Sequence, residues 1–310
     1  MGALPHSIAG GIIMNKIGIY FAYWASEWDV DCLYYLNKVS DLGFDILEVS
    51  LAHILEMSKI KRKELKKAAL DRGMELTYCI CFPSDKDIAS EDAKIRRNGI
   101  EYAKRTLEVV HSMGGTIYGG INYSAWPGVL NTGITDKRLY LERSLNSIRE
   151  VVKTAEDYGI IYCLEIVNRF EQYLLNTAAE GVAYIQEVGS PNLKLLLDSF
   201  HMNIEEDNIG KAIITAGDML GHLHIGENNR KCPGKGHMSW DEIMQALREI
   251  RYSGRIVMEP FVKMGGAIGR DMKVWRDLSE GDSEKQLDIE AKAALEFIKH
   301  KLHTLKEAEV

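Results

Sequence analysis

The chain has 310 residues and is 46% hydrophobic, which is enough for one large domain with a single core. Its 38 Lys and Arg residues against 45 Asp and Glu residues give a net charge of −7, which disfavours nonspecific binding to nucleic acid or anionic lipid. No apolar run approaches the roughly 20 residues needed to cross a bilayer. We therefore expect a small-molecule partner, and neither a nucleic acid nor a membrane.

The five cysteines are odd in number and irregularly spaced, which predicts reduced, structural thiols in a cytoplasmic protein. Residues 1–13 are apolar and glycine-rich but lack the basic segment of a secretory signal. Because Met14 resembles a natural start, we interpret 1–13 as an N-terminal extension or a cloning remnant. Residues 14–310 are then predicted to form one catalytic domain.

Short β-prone runs alternate with longer helical patterns along the chain, and several helices end at a glycine, such as Gly43 and Gly73. We predict strands at residues 16–22, 46–49, 75–81, 116–118, 163–165, 196–198, 222–224 and 257–259. We predict helices at residues 31–42, 59–72, 92–113, 136–158, 177–188, 208–216, 239–250 and 283–305, the last after a long loop at 263–281.

Eight strand–helix repeats favour a parallel sheet covered by helices. The count of eight favours closure into a barrel, and no Gly-x-Gly-x-x-Gly follows the first strand to mark an open dinucleotide-binding sheet. The predicted fold class is therefore α/β: a (β/α)8 TIM barrel with an additional long C-terminal helix, in a single domain.

The last four predicted strands each end on a side chain that can bind a metal. These residues are Glu165, Asp198, His224 and Glu259. Their spacing is close to one β-α-β unit of roughly 30 residues, so neighbouring strands would deliver them to one rim of the barrel. Three carboxylates and one imidazole suit Mn²⁺, Mg²⁺ or Co²⁺ better than Zn²⁺.

Each of these four residues also has an ordinary interpretation, as a solvated strand end or as a hydrogen-bonded core histidine. Four such residues on consecutive strands favour the metal site, because a cluster of like charges without a cation is costly. His222 faces the same side as His224, but His224 lies nearer the carboxyl end of its strand and is the better ligand.

Polar residues follow three of these strands onto the loops above the rim, and aromatic residues lie at the ends of other strands. Glu171, His201 and Arg230 are placed to hydrogen-bond the hydroxyls of a polar ligand, although a surface ion pair is the alternative for Glu171 and Arg230. Tyr20 and Trp126 lie at or beyond strand ends, where aromatic faces pack against the C–H surface of a sugar or serve the core.

Four ordered segments resemble the ketose 3-epimerase family, which includes D-tagatose 3-epimerases and D-psicose (D-allulose) 3-epimerases. They are EIVNRFE at 165–171, LDSFHMNIEE at 197–206, HLHIGE at 222–227 and MEPFV at 258–262. The likeness spans residues 16–302. It implies a metal-dependent isomerase that interconverts the C3 epimers of free ketoses, such as D-fructose and D-psicose or D-tagatose and D-sorbose.

The resemblance also implies a role for each candidate residue. Glu165, Asp198, His224 and Glu259 would bind one divalent ion, usually manganese. Glu165 and Glu259 would remove and return the C3 proton through an enediolate. Glu171, His201 and Arg230 would hold the O1 to O3 end of the ketose, and Tyr20 and Trp126 would line the pocket. Dimers or tetramers are usual in the family.

The front half departs from the family pattern, with Cys81-Phe82-Pro83-Ser84 after the third strand and Ile121 after the fourth. We expect the bulky Phe82 and Ile121 to change the space around the far end of the sugar, so the preferred ketose is open. Two alternatives are a ketose-aldose isomerase of the xylose-isomerase type and a non-catalytic sugar-binding barrel. An endonuclease IV-like enzyme is disfavoured, because it needs a basic DNA-binding surface and more histidines, whereas this chain is acidic and has nine histidines.

Overall fold

The structure is a computed structural model that describes residues 15–130, 133 and 136–307, with side chains described as far as residue 303. The predicted extension at residues 1–13 lies outside these described residues. None of the helices within them is long and apolar enough to span a membrane.

Eight parallel strands form the centre of the fold. They are β1 Ile17–Tyr20, β2 Ile46–Ser50, β3 Glu75–Cys79, β4 Ile117–Tyr118, β5 Ile161–Ile166, β6 Leu193–Asp198, β7 Leu220–Ile225 and β8 Arg255–Met258. They are hydrogen-bonded in the order β3-β2-β1-β8-β7-β6-β5-β4. A parallel bridge between Cys79 and Gly119 joins the two ends, because Gly119 N donates to Tyr78 O. The predicted (β/α)8 barrel is confirmed.

Eleven α-helices lie within the described residues and cover the barrel. They are α1 Cys32–Asp41, α2 Leu51–Glu56, α3 Lys59–Asp71, α4 Ala93–Met113, α5 Arg138–Tyr158, α6 Ala178–Val188, α7 Ser199–Glu205, α8 Ile209–Ala216, α9 Trp240–Glu249, α10 Gly266–Asp271 and α11 Glu284–Glu307. The predicted long C-terminal helix is α11, and its buried Leu287, Leu295 and Ile298 belong to the main core.

Local sequence signals account for the ends of several helices. Asp31 and Asp92 accept hydrogen bonds from the first free amides of α1 and α4, and Thr177 forms a capping box with Glu180 at the start of α6. Helix α4 ends at Gly114 with φ of 79°, a left-handed conformation that glycine adopts without strain.

Three short helices were not predicted, and the first and third strands were each predicted two residues too long at the carboxyl end. The first strand ends at Tyr20, and the chain continues as a 3-10 turn over Phe21–Tyr23. Helices α2 and α7 begin directly after β2 and β6 without a loop. Helix α10 lies inside the segment that we interpreted as irregular. All these differences lie at the carboxyl ends of the strands, which is the functional rim of such a barrel.

Candidate metal and active site

Four side chains from neighbouring strands converge at the carboxyl end of the barrel, as the sequence predicted. Glu165 is on β5, Asp198 ends β6, His224 is on β7 and Glu259 follows β8. Each offers one ligand atom within 4.8 Å of the others, and all four are buried. His224 Nδ1 lies 3.7 Å from Glu165 Oε1 and 3.5 Å from Glu259 Oε1. This set is called the metal cluster below.

Two features of the metal cluster fit a hard divalent cation: the chemistry of its donor atoms and a buried donor atom without a hydrogen-bond partner. His224 Nδ1 is buried without a hydrogen-bond partner among the described residues, which is costly unless another ligand satisfies it. Three buried carboxylates surround it, and a cation would offset their mutual repulsion. Oxygen-rich donors with one imidazole suit Mn²⁺, Mg²⁺ or Co²⁺.

The electrostatics of the cluster reflect burial and crowding of charge. Burial raises the pKa of the Glu165 carboxyl, and the neighbouring Glu259 and Asp198 carboxylates raise it further. Burial alone would lower the pKa of His224, but Glu48 and Glu259 raise it well above its ordinary value. Protons and a metal ion therefore compete for the same donor atoms.

A hydrogen-bonded layer lies beneath the metal cluster, and sequence reasoning missed its central residue. Glu48, on β2, is fully buried. Its Oε1 lies 2.6 Å from His224 Nε2, and its Oε2 lies 2.8 Å from His222 Nε2 and from the Thr77 hydroxyl. These nitrogen–oxygen distances are those of direct contacts and leave no room for an ion between the atoms. His222 therefore belongs to this layer and not to the metal cluster.

A second polar layer covers the cluster and contains the predicted loop residues. Arg230 Nη1 donates to Asp198 Oδ2 at 3.0 Å and to Glu259 Oε2 at 3.1 Å. Arg230 Nη2 lies 3.2 Å from His201 Nε2, and the guanidinium carbon lies 3.9 Å from the centre of the Phe200 ring. The surface ion pair considered for Arg230 is therefore excluded, since its side chain is only 13% exposed.

The same layer continues through Asn168 to the predicted aromatic wall. Asn168 Nδ2 lies 2.7 Å from His201 Nδ1 and donates to Glu171 Oε1 at 3.2 Å. Trp126 Nε1 donates to Glu171 Oε2 at 3.1 Å. Burial and the Arg230 charge lower the pKa of His201 to about 3, so its imidazole is neutral at physiological pH. A neutral imidazole can both donate to and accept from sugar hydroxyls.

A cleft of about 1050 Å³ opens beside the cluster above the front half of the barrel. Tyr20 and Trp126 line it, as predicted, together with Trp28 and the thiols of Cys79 and Cys81. Cys79 Sγ lies 4.0 Å from Glu165 Oε2, so the cleft reaches the edge of the metal cluster. This volume is ample for a monosaccharide.

Known proteins that resemble this chain have the same barrel architecture. Residues 36–278 match the family described as the xylose isomerase-like TIM barrel. The D-psicose 3-epimerase of Ruminiclostridium cellulolyticum is 49% identical over 287 residues, which is 93% of this chain and 98% of that protein. The chain belongs to the ketose 3-epimerase family.

Two further comparisons agree with this membership. The crystal structure of D-psicose 3-epimerase with D-tagatose from Clostridium cellulolyticum H10 superposes with a TM-score of 0.90 and 49% identity, covering 93% of this chain and 99% of that one. The L-ribulose 3-epimerase of Mesorhizobium japonicum is 35% identical over 268 residues, 86% of this chain and 88% of that protein. The predicted family, fold and enzyme class, an isomerase, are confirmed.

Phe82 and Ile121, the two bulky residues that depart from the family pattern, do not lie where we expected them. Phe82 is fully buried and packs against Tyr102, with ring centres 5.3 Å apart, and Ile121 is buried as well. Neither is among the residues that line the cleft. The expectation that these two bulky residues reshape the cleft was wrong, because their side chains fill the core.

Proposed function

We propose that this protein catalyses the C3 epimerisation of free ketoses, with D-fructose and D-psicose or D-tagatose and D-sorbose as substrate pairs. One observation carries the proposal. Glu165 and Glu259 reach the same buried point from strands separated by β6 and β7, with carboxylate oxygens 3.7 and 3.5 Å from His224 Nδ1. Two carboxylates that approach one point from different sides suit chemistry on both faces of a carbon.

Inversion at C3 requires a proton to leave one face and another to arrive on the opposite face. In this proposal one of Glu165 and Glu259 accepts the C3 proton and the other donates to the opposite face of the enediolate. Their roles exchange in the reverse direction. Glu171, His201 and Arg230 hold the O1 to O3 end of the sugar, while Tyr20 and Trp126 line the pocket and exclude water.

One divalent ion is the proposed cofactor, with Mn²⁺ first and Mg²⁺ or Co²⁺ as alternatives. Glu165, Asp198, His224 and Glu259 would hold it, since all four donors meet in the metal cluster. Such an ion would polarise the ketose carbonyl and stabilise negative charge on the neighbouring oxygens.

The test is incubation with D-fructose in deuterium oxide, with added Mn²⁺ and separately with a chelator. We expect D-psicose carrying deuterium at C3, formed only with the metal. Glucose or mannose as product would indicate the xylose-isomerase type of reaction instead. Sugar that is recovered unchanged and without deuterium would indicate a binding protein.

The relatives bear on the sugar itself. A protein 49% identical is named for D-psicose, and one 35% identical is named for L-ribulose. We therefore propose D-fructose and D-psicose as the preferred pair. A panel of ketohexoses and ketopentoses, compared by kcat/KM, tests this preference.

We further propose a homodimer or homotetramer in the cytoplasm, with residues 14–310 as one catalytic domain. Val129 and Phe170 are 80% and 71% exposed on adjacent loops, which Gly128 N joins by donating to Glu171 O at 2.8 Å. Exposed apolar residues that lie together favour self-association. Light scattering during size-exclusion chromatography measures the assembly.

The proposed cytoplasmic location is supported by the five cysteines, which are free, as fits a reducing compartment.

A further inference from the structure

The buried layer beneath the metal cluster has no part in the chemistry described above. We propose that Glu48 is a positioning residue, which holds the His224 imidazole so that the lone pair of Nδ1 faces the metal. The inference rests on the proposed metal site, but it does not depend on which sugar is turned over. It concerns the affinity of the cluster for the ion.

The first step of the argument is the contact between Glu48 and His224. Glu48 Oε1 and His224 Nε2 lie 2.6 Å apart, both residues are completely buried, and neither atom has another partner among the described residues. A carboxylate can only accept a hydrogen bond. A neutral His224 in this position therefore carries its hydrogen on Nε2, and Nδ1 is left as a lone pair.

The second step is the direction in which Nδ1 points. The other nitrogen of the same ring lies 3.7 Å from Glu165 Oε1 and 3.5 Å from Glu259 Oε1, inside the metal cluster. The two nitrogens of one imidazole thus have separate functions, one towards Glu48 and one towards the ion. Histidine ligands of metals are commonly oriented in this way, by a partner on the nitrogen that does not bind the ion.

The third step is that Glu48 is itself held in place. Its second oxygen lies 2.8 Å from His222 Nε2 and accepts from the Thr77 hydroxyl at 2.8 Å. Thr77 is the residue paired with Glu48 in the β2–β3 register, whereas His222 and His224 reach Glu48 across the barrel from β7. A carboxylate fixed from both sides cannot turn away from His224.

The contact with His222 helps to stabilise the buried charge of Glu48. Both oxygens of the buried Glu48 face hydrogen-bond donors, with His224 Nε2 on Oε1 and with His222 Nε2 and the Thr77 hydroxyl on Oε2, which is the arrangement that suits an ionised carboxylate. Glu48 supplies a fourth negative charge next to the cluster without occupying a coordination position. That charge favours a cation at His224 and makes the imidazole a stronger donor.

The test compares metal affinity in two matched variants of the full chain. Glu48→Gln keeps the shape of the side chain but removes its charge, and its amide can present hydrogens to His224. Glu75→Gln is the control, because Glu75 is paired with Lys16 and Arg255 at the opposite end of the barrel. Isothermal titration of Mn²⁺ into chelator-stripped protein gives Kd without any turnover.

We expect Glu48→Gln to raise the Kd for Mn²⁺ about 10- to 100-fold, the range found for partners of metal-binding histidines. Glu75→Gln is expected to leave Kd unchanged. If Glu48→Gln binds Mn²⁺ as tightly as the unmodified protein does, Glu48 is merely structural and the inference is overturned. The outcome is separable from the proposed reaction, because a protein that fails to epimerise ketoses still gives both Kd values.

A measurement on the unmodified protein covers the case in which Glu48→Gln does not fold. Neutron diffraction from Mn²⁺-loaded, deuterated crystals locates the hydrogens of His224. We expect density for one deuteron on Nε2, between the ring and Glu48, and the ion on Nδ1. A deuteron on Nδ1, or the ion on Nε2, would contradict the inference.

Discussion

In the proposed reaction, Glu165 and Glu259 each act as a metal ligand and as a proton acceptor or donor, and these two roles make opposite demands on a carboxylate. A metal ligand must be ionised, whereas a group that exchanges protons must be able to accept one. Burial raises the pKa of Glu165, which favours proton acceptance, and its place in the metal cluster favours ionisation. The proposed reaction therefore depends on these two residues more than on any other.

Replacing either glutamate by glutamine tests this dependence. Glu165→Gln and Glu259→Gln keep an oxygen ligand but cannot accept the C3 proton. We expect kcat to fall about 10²- to 10⁴-fold, the usual contribution of a general acid or base, when Mn²⁺ is supplied at saturating concentration. The rate of epimerisation and the loss of deuterium from a ketose labelled at C3 measure the effect. Circular dichroism checks the fold. Turnover at the unmodified rate would remove either residue from the proposed mechanism.

Arg230 permits a second test at the residue scale. Its guanidinium contacts Asp198, Glu259 and His201 at once and stacks on Phe200. Lysine has one ammonium group and cannot make these contacts together. Losing one to two charge-assisted hydrogen bonds of about 1.5–3 kcal/mol each predicts a fall in kcat/KM of tenfold or more for Arg230→Lys.

A matched arginine on the same rim provides the control for that variant. Arg169 pairs with Glu205, but its side chain is 63% exposed, so water replaces most of what lysine loses. We expect Arg169→Lys to keep nearly all activity. Equal losses in both variants would show that Arg230 has no special part in holding the sugar.

At the scale of elements, the fold and the metal cluster were predictable from sequence, and the short rim helices were not. Strands and long helices repeat a hydrophobic period, and the ligands end strands, so both leave a signal in one dimension. Helix α10 begins in a Gly-Gly sequence, which is typical of a loop, and is held by tertiary contacts such as the bond from Trp28 Nε1 to Asp271 Oδ2 at 2.8 Å.

Glu48 shows the same limit at a single position of an element. It lies within the predicted second strand, where a lone charge among apolar residues was the available signal. Its partners His222 and His224 lie on β7, which is not a neighbour of β2 in the sheet. Only closure of the barrel brings these side chains together across the interior, and spacing along the chain carries no trace of that contact.

Helix α10 supports a prediction of its own, since Asp271 and Met272 line the cleft. Gly266, at its first position, has φ of +65°, and a Cβ there would lie 2.2 Å from Ser26 O. Gly266→Ala must therefore shift α10 away from the strand-one loop. We expect a raised KM with a smaller change in kcat, because the cleft wall moves while the metal cluster does not.

The control separates the clash from the cost of the backbone conformation. Gly281 also has a positive φ, of +79°, but a Cβ there would meet nothing within 4 Å. Gly281→Ala should cost about 1–2 kcal/mol of stability and leave KM unchanged. If both variants change KM alike, the close approach to Ser26 does not set the position of α10.

For the whole molecule, the pH dependence of stability depends on the negative charge concentrated at one end of the barrel. In the metal-free protein the pKa of Glu165 lies above its ordinary value of 4.5, chiefly through burial. The folded state then holds this proton more tightly than the unfolded state. That contribution to stability is complete below pH 4.5 and is lost as pH rises through the raised pKa.

Metal binding should reverse this trend, because an ion needs the ionised carboxylate and competes with its proton. An ion at 100 times its Kd stabilises the folded state by about 2.7 kcal/mol. Since Kd itself falls as Glu165 ionises, we expect the rise in Tm on adding a fixed concentration of Mn²⁺ to be larger at pH 8 than at pH 5.5. Thermal unfolding with Mn²⁺ and with chelator at both pH values measures the difference. An equal rise at the two pH values would mean that Glu165 loses no proton when the ion enters, which would contradict the raised pKa of its carboxyl.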